Sequence, residues 1–208
     1  MDNFVIAVTR TCGSGATSIC KKLCDDLEVS LYDKNLLRLA ADDSGINEAM
    51  FASVDEHIKN SVLYRVSKKV YNGELIPPES NNFKSDENLY NYQAKILKEL
   101  TQKESYICIG RGCGFVLKDY PNLLRIYIYA PLEDRIRHES QRLKITPKEA
   151  EDRIKKTDKF RSEYYHYHTG LKWGDPYNYD LCINTGALDY NQSVELIKSY
   201  MKIKGMID

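Results

Sequence analysis

The sequence has 208 residues, of which 42% are hydrophobic, and its 30 basic and 30 acidic side chains leave no net charge. This length predicts one sizeable domain. The balanced charge argues against a general nucleic-acid binder and against a protein of anionic membrane surfaces, because both normally carry a basic excess. The apolar runs are too short to span a bilayer, and no basic segment leads into a long apolar one at the N-terminus, so we predict a cytoplasmic protein.

The cysteine pattern predicts neither a zinc site nor a disulfide framework, because the six cysteines include no C-x-x-C pair. They stand at positions 12, 20, 24, 108, 113 and 182. We expect buried, reduced cysteines. Cys12 is a candidate reactive thiol, because a helix N-terminus lowers the pKa of a nearby thiol.

The N-terminal stretch reads as a buried strand, a glycine-rich turn and an amphipathic helix. The apolar run Phe4–Val8 predicts a strand covered on both faces. Gly13 and Gly15 permit backbone angles and close approach that other residues resist, and Thr17 and Ser18 are predicted to cap the helix. Because N–H groups at a helix start attract anions, this turn is a candidate phosphate site, with a mere tight connection as the alternative.

The turn fits the phosphate-loop pattern G-x-x-x-x-G-K-[ST] only in part. Gly15 and Thr17 match, and Thr17 stands where a Mg²⁺-binding hydroxyl belongs. Ala16 replaces the lysine and Arg10 replaces the first glycine, so Arg10 or another arginine is expected to supply the missing charge. The predicted cofactor-binding residues are Gly13, Ser14, Gly15, Ala16, Thr17 and Ser18.

Further along the chain, strand and helix patterns alternate. The predicted strands are 29–32, 105–109, 123–129 and 181–183. The predicted helices are 34–41, 86–102, one from Pro131 through Arg142, one from a capping box at Thr146–Glu149 to about residue 167, and 191–203. Residues from about 42 to 100 read as a helical insertion.

This alternation predicts an α/β fold with a parallel sheet covered by helices on both faces. Ligands in such folds bind beyond the carboxyl ends of the strands. The loops at those ends hold 10–18, Asp33, Arg111 and 131–135, so we expect these residues to converge in space. A phosphate role is favoured for Arg111, because it lies in a glycine-flanked turn after a buried strand.

Six short stretches carry a further signal: VTRTCGSGATS, LYDKNLL, ICIGRGCGFVL, YAPLEDRI, KKTDKFRSEYYHYHTG and WGDPYNYDLCINTG. In order and rough spacing they resemble the cytidylate kinase-like family, a branch of the P-loop nucleoside monophosphate kinases. The resemblance covers most of the chain except about 45–85. It implies a single P-loop NTPase-type domain over 1–208, with a five-stranded parallel sheet, the insertion at about 42–100 on the acceptor side and a helical lid at about 132–170.

The resemblance also implies the functional residues. Arg111 matches an arginine that holds the acceptor's phosphate, Asp158 and Arg161 match a lid pair that approaches the acceptor sugar and the phosphates, and Arg135 resembles the arginine that starts the lid. The implied catalytic residues are Arg10, Arg111, Arg135, Asp158 and Arg161, and the implied substrate-binding residues are Asp33, Arg111, Asp158 and Arg161. ATP and Mg²⁺ are the implied cofactors, with CMP or dCMP as the favoured acceptor.

Structural roles remain open for several of these residues. Arg135 is equally suited to a surface ion pair with Glu139, four residues on. Asp158 and Arg161 share a helix face and can form an intrahelical salt bridge. For Asp33, capping of the next helix is favoured over contact with a ribose or base.

The sequence also departs from classical cytidylate kinases. Besides the missing loop lysine, Ile109 and Gly112 stand where those enzymes have aspartates, although the cytidylate kinase-like branch resembles this chain there. Two further functions are therefore open: a non-catalytic nucleotide- or phosphate-binding module on the same fold, and a kinase for another small molecule.

Overall fold

The computed structural model describes residues 3–33, Val62, Val66 and 86–208, and it contains one sheet of five parallel strands. The strands are β1 Val5–Arg10, β2 Ser30–Tyr32, β3 Tyr106–Ile109, β4 Leu123–Tyr129 and β5 Leu181–Asn184. Their order in the sheet is β2-β3-β1-β4-β5. The predicted parallel α/β fold is therefore confirmed.

Six helices lie in the described residues. They are α1 Ala16–Leu27, α2 Asp86–Leu100, α3 Cys113–Val116, α4 Leu132–Leu143, α5 Pro147–Thr169 and α6 Tyr190–Ile203, with a 3₁₀ turn at Pro176–Asn178. The predicted helix 34–41 and the insertion before residue 86 lie outside the described residues, apart from Val62 and Val66. No helix in the described ranges has the length and apolar character needed to cross a membrane.

Strand β1 is buried on both faces, as its unbroken apolar run predicts. Ile6 and Val8 pack in a core formed with α1 and α6. Val5 and Ala7 point to the opposite face, where α2 and α3 supply the partners. This central position of β1 places the loop that follows it at the middle of the sheet's carboxyl edge.

The helix starts follow different rules in α5 and α1. The capping box of α5 is confirmed, since the Thr146 hydroxyl accepts a hydrogen bond from the Glu149 N–H at 3.2 Å and the Glu149 carboxylate accepts the Thr146 N–H at 2.8 Å. The predicted capping of α1 by Thr17 and Ser18 is wrong. The chain enters α1 through Gly15 at φ 73° without a side-chain cap, so both residues already lie in the first helical turn with exposed side chains.

The cysteine prediction is confirmed at five of six positions. All six thiols are free, and five of them are buried. Cys182 on β5 is exposed, which corrects the expectation there.

Candidate active site

The glycine turn after β1 is a tightly enclosed loop. A Cβ on Gly13 would lie 2.9 Å from the Arg135 carbonyl oxygen and 3.1 Å from Cγ of Glu139. A Cβ on Gly15 would collide with the Tyr190 ring. Both glycines also have left-handed backbone angles. The loop therefore follows a path between α4 and the start of α6 that only glycine permits at these two positions.

Side chains hold this loop in one shape. The buried hydroxyl of Ser14 donates to the Thr11 carbonyl at 2.9 Å. The Thr185 hydroxyl, which follows β5, donates to the Ser14 carbonyl at 2.9 Å. The Ser14 side chain thus stabilises the loop itself and is not free to bind a phosphate. A loop held in this way is pre-organised for a ligand.

The loop lines a cavity of about 460 Å³, which we call the loop cavity. The exposed side chains of Thr17 and Ser18 lie in its wall. Five described basic residues line it against one acidic residue: Arg10, Lys21, Arg142, Arg153 and Arg161 against Glu139. This excess of positive charge beside a helix N-terminus suits a polyanion such as a triphosphate.

Ala16 brings no charge to the loop cavity. Its side chain is only 2% exposed and packs in the apolar core beneath α1. Among the described residues, the positive charge of this cavity comes from its four arginines and Lys21.

A second cavity of about 250 Å³ lies beyond the end of β3, and we call it the strand-end cavity. Its described lining contains three arginines and four aromatic rings among smaller residues. The lining residues are Thr9, Arg10, Ile109, Gly110, Arg111, Gly112, Thr157, Phe160, Arg161, Tyr164, Tyr165 and Trp173. No aspartate, glutamate or histidine belongs to this described lining. The cavity suits an anion that carries an apolar or aromatic moiety.

Arg111 occupies an unusual backbone position in the strand-end cavity. It has φ 59° between Gly110 at φ 83° and Gly112 at φ 63°, and a non-glycine residue in this region is strained by roughly 1 kcal/mol or more. Its guanidinium lies 5.4 Å from the centroid of the Tyr164 ring. Its buried Nε has no hydrogen-bond partner among the described residues. The geometry presents Arg111 to the cavity with donor capacity to spare.

Arg10, Thr157 and Arg161 line both cavities. Nη1 of Arg161 donates to the Arg10 carbonyl at 3.2 Å. Burial, followed by the neighbouring charge of Arg161, lowers the pKa of Arg10 to about 10. Arg10 thus stays protonated at neutral pH, and two cations meet at the boundary between the cavities.

Glycine at position 110 makes room for Arg10. A Cβ on Gly110 would lie 2.6 Å from Nη1 of Arg10. Asp33, at the end of β2, is close enough for its carboxylate to raise the pKa of Arg10, against the larger lowering by burial. The predicted capping role of Asp33 concerns a helix outside the described residues.

Arg135 and Asp158 form a contact that ties α4, α5 and the glycine loop together. Nη1 of Arg135 lies 2.5 Å from Oδ2 of Asp158, and Oδ1 of Asp158 accepts the Cys12 N–H at 2.7 Å. The alternative of a surface ion pair between Arg135 and Glu139 is not formed, since Glu139 pairs with Arg142 and Arg153 instead. The intrahelical pair of Asp158 with Arg161 is long, at 3.9 Å. Asp158 thus faces the glycine loop.

Cys12 is a weaker candidate nucleophile than its place in the loop predicts. Burial, together with the nearby charge of Glu139, raises the pKa of the Cys12 thiol. The pKa of this thiol is therefore raised where the helix N-terminus was expected to lower it.

Sequence reasoning missed several residues of the site. Arg153 and Thr157 line the loop cavity together with the predicted Arg161. Their spacing of four residues on one face of the helix that carries Arg161 was a signal that could have found them. Glu139 and Arg142 carry no such signal, because only the packing of α4 against the loop places them there.

A divalent cation has few protein ligands here. Among the described residues no group of three or more histidine, cysteine, aspartate or glutamate side chains could hold a metal ion. Thr17, with its exposed side chain in the loop cavity, fits a Mg²⁺ ion whose other ligands are phosphate oxygens and water.

A comparison with protein families assigns this chain to one of them. The sequence profile of the cytidylate kinase-like family matches residues 5–187. The chain belongs to the cytidylate kinase-like family. The family predicted from the six sequence stretches is therefore confirmed.

Two relatives of this chain are distant from it in sequence but are matched over most of their length. A cytidylate kinase of Saccharolobus islandicus is 24% identical over 200 residues, which cover 96% of this chain and 91% of the relative. A cytidylate kinase from a second strain of the same organism gives the same values.

Two solved structures show the same fold. An uncharacterized protein from Eubacterium ventriosum superposes with a TM-score of 0.72 at 23% identity, covering 96% of this chain and 99% of that one. A shikimate kinase from Bacteroides thetaiotaomicron gives a TM-score of 0.52 at 13% identity, covering 96% and 98%. These likenesses concern the fold, which is the predicted P-loop kinase fold.

Proposed function

We propose that this family member transfers the γ-phosphate of ATP to a nucleoside monophosphate, with CMP or dCMP favoured as the acceptor. The observation that carries the proposal is the pair of adjoining cavities with Arg10, Thr157 and Arg161 in their common wall. A two-substrate phosphotransferase needs two anion sites that meet where the phosphoryl group moves.

The loop cavity is the proposed donor site. N–H groups of the glycine loop and of the first turn of α1 would bind the triphosphate, together with the arginines of the cavity wall. Mg²⁺ held at Thr17 would neutralise phosphate charge when bound. The ion pair of Arg135 with Asp158 would keep the proposed lid, α4 and α5, against the loop and exclude water.

The strand-end cavity is the proposed acceptor site. Arg111 would bind the acceptor's phosphate, since a guanidinium offers two parallel hydrogen bonds to phosphate oxygens. The rings of Phe160, Tyr164 and Trp173 offer surfaces on which a base can stack. Arg10 and Arg161 would then stabilise the charge that spreads over the phosphoryl group during in-line transfer.

The chemistry of the lining favours a phosphate acceptor over a hydroxyl acceptor. A hydroxyl nucleophile needs a base to take its proton, and the described lining of the strand-end cavity contains no carboxylate or imidazole. A phosphate monoester loses its second proton near pH 6 and is already a dianion at neutral pH. It can attack without a protein base.

The buried Ala16 favours one alternative. A chain that lacks the loop lysine can bind nucleotide without turning it over, as a binding module on the same fold. Such a module would bind ATP saturably and release no transferred phosphate.

Arg111→Ala is expected to raise the KM for the acceptor by about 10- to 100-fold, the effect of one lost charge-assisted contact, and to change the KM for ATP little. The measurement is transfer of labelled γ-phosphate from Mg·ATP to a panel of nucleoside monophosphates. Lys118→Ala, which removes an exposed cation soon after the same loop, is the control. ATP binding without transfer to any acceptor would contradict the kinase function and support the binding module.

A further inference from the structure

Glu139 is a buried carboxylate in the wall of an anion-binding cavity. It is only 3% exposed, it lines the loop cavity, and its Cγ would lie 3.1 Å from a Cβ on Gly13. A negative charge at this place repels a phosphate ligand. Its presence beside the glycine loop therefore calls for a role that outweighs the repulsion.

Arginines from two helices converge on this carboxylate. Arg142 of α4 donates from Nε at 3.0 Å and from Nη2 at 2.7 Å. Arg153 of α5 places its Nε 3.5 Å from the same oxygen, Oε2, that Nη2 of Arg142 contacts. Burial alone would raise the pKa of Glu139, but the hydrogen bonds and charge of Arg142, with the charges of His138 and Arg153, bring it below its usual range. Glu139 is thus ionised at neutral pH.

Both arginines keep donors for a ligand. A guanidinium has five N–H groups, and Glu139 uses two of those on Arg142. Arg142 and Arg153 are about half exposed, with side-chain exposures of 50% and 54%, and both line the loop cavity. Without the carboxylate between them, two like charges on flexible side chains would separate into solvent.

We propose that Glu139 is a positioning residue that holds Arg142 and Arg153 as a clamp on the phosphates of the donor nucleotide. The clamp supplies the charge that a lysine at position 16 would supply. This inference rests on the proposed function, because it names the residues that bind the donor in the loop cavity. Two arginines fixed on one carboxylate present their remaining N–H groups in a defined direction, which a single flexible lysine does not.

The direction in which one substitution changes the affinity for ATP distinguishes a positioning role of Glu139 from simple repulsion of phosphate. Glu139→Gln retains a similar shape and an acceptor oxygen but removes the negative charge. If Glu139 only repels phosphate, this change strengthens ATP binding. If Glu139 positions the arginines, the change weakens ATP binding by about three- to tenfold, although it makes the cavity more positive.

The experiment is calorimetric titration of the full chain with ATP and, separately, with inorganic tripolyphosphate. Arg142→Ala and Arg153→Ala are each expected to weaken both ligands by about 10- to 100-fold. If each variant loses affinity for ATP and for tripolyphosphate by the same factor, the arginine contacts the phosphates and not the nucleoside. Glu151→Gln and Lys155→Ala, which break an ion pair elsewhere on α5, are the matched controls and should bind as the wild type does.

Kinetics give the second readout. Glu139→Gln is expected to raise the KM for ATP by the same factor while kcat stays within about twofold, whereas general loss of structure lowers kcat as well. If both arginine variants bind ATP as tightly as the wild type does, or if Glu139→Gln binds ATP more tightly, the clamp is overturned but the proposed function is not. A wild-type chain that binds neither probe would overturn the proposed function instead.

Discussion

Arg161→Ala is expected to lower kcat for phosphoryl transfer by about 10²- to 10³-fold, the usual effect of removing one donor from a transition-state site. Arg161 lines both cavities and its Nη1 lies 3.2 Å from the Arg10 carbonyl oxygen. The charge of the moving phosphoryl group would develop at this boundary. Removal of the guanidinium should therefore affect the transfer step more than the binding of either substrate.

The measurement is a full kinetic analysis of Arg161→Ala with both substrates varied. Lys159→Ala is the matched control, because it removes a cation two residues away on the same helix whose side chain is 77% exposed. Arg161→Lys should recover only part of kcat, since an ammonium lacks the two parallel donors of a guanidinium. A kcat for Arg161→Ala that equals the control value would contradict a role in transfer.

Asp158→Asn is expected to lower both thermal stability and activity. The change removes the charge that faces Arg135 at 2.5 Å, and the two side chains are only 18% and 13% exposed. Leaving a largely buried guanidinium without its counter-charge costs about 1–3 kcal/mol, which corresponds to a fall in Tm of roughly 2–12 °C for a chain of this size. The amide still accepts the Cys12 N–H, so the loop itself should keep its path.

Activity should fall because α4 would be held less firmly against α5 and the glycine loop. We expect kcat/KM for ATP to decrease by about tenfold or more, in line with the free energy of the lost contact. Melting curves with and without ATP, together with initial rates, measure both effects. Asp152→Asn, at a position that is 61% exposed on the same helix, is the control. A variant with unchanged Tm and rate would show that the contact does not hold the proposed lid.

The sheet was predictable because its strands are short apolar runs between turn residues. Val5–Arg10 and Leu123–Tyr129 are both close to their predicted positions, since a strand buried on two faces has little choice of composition. The convergence of Arg10 and Arg111 also followed from the topology, because parallel strands place their carboxyl ends at one edge.

The partners of individual side chains were less predictable. For Arg135, the sequence offered Glu139 four residues away, but the packing of α4 against α5 brings Asp158 closer. For Cys12, the helix N-terminus predicted a lowered pKa, but burial and the charge of Glu139 raise it. In both cases a local rule was overruled by tertiary contacts between segments far apart in sequence.

The backbone of the glycine loop was also not predictable from residue types alone. Thr17 and Ser18 are good capping residues by type, yet Gly15 takes the cap position with a left-handed φ of 73°. This conformation places both residues inside the first turn of the helix, where they line the loop cavity. The sequence predicted the glycine turn and the helix after it, but not the way in which the chain enters that helix.

We infer that the two cavities are donor and acceptor sites that meet at Arg10 and Arg161. A bisubstrate compound in which a polyphosphate chain joins adenosine to cytidine tests it most directly by calorimetric titration. We expect one molecule to bind per chain, more tightly than ATP or CMP alone, and both Arg111→Ala and Arg161→Ala to weaken it. Binding no tighter than that of ATP alone, and insensitive to Arg111→Ala, would contradict the claim.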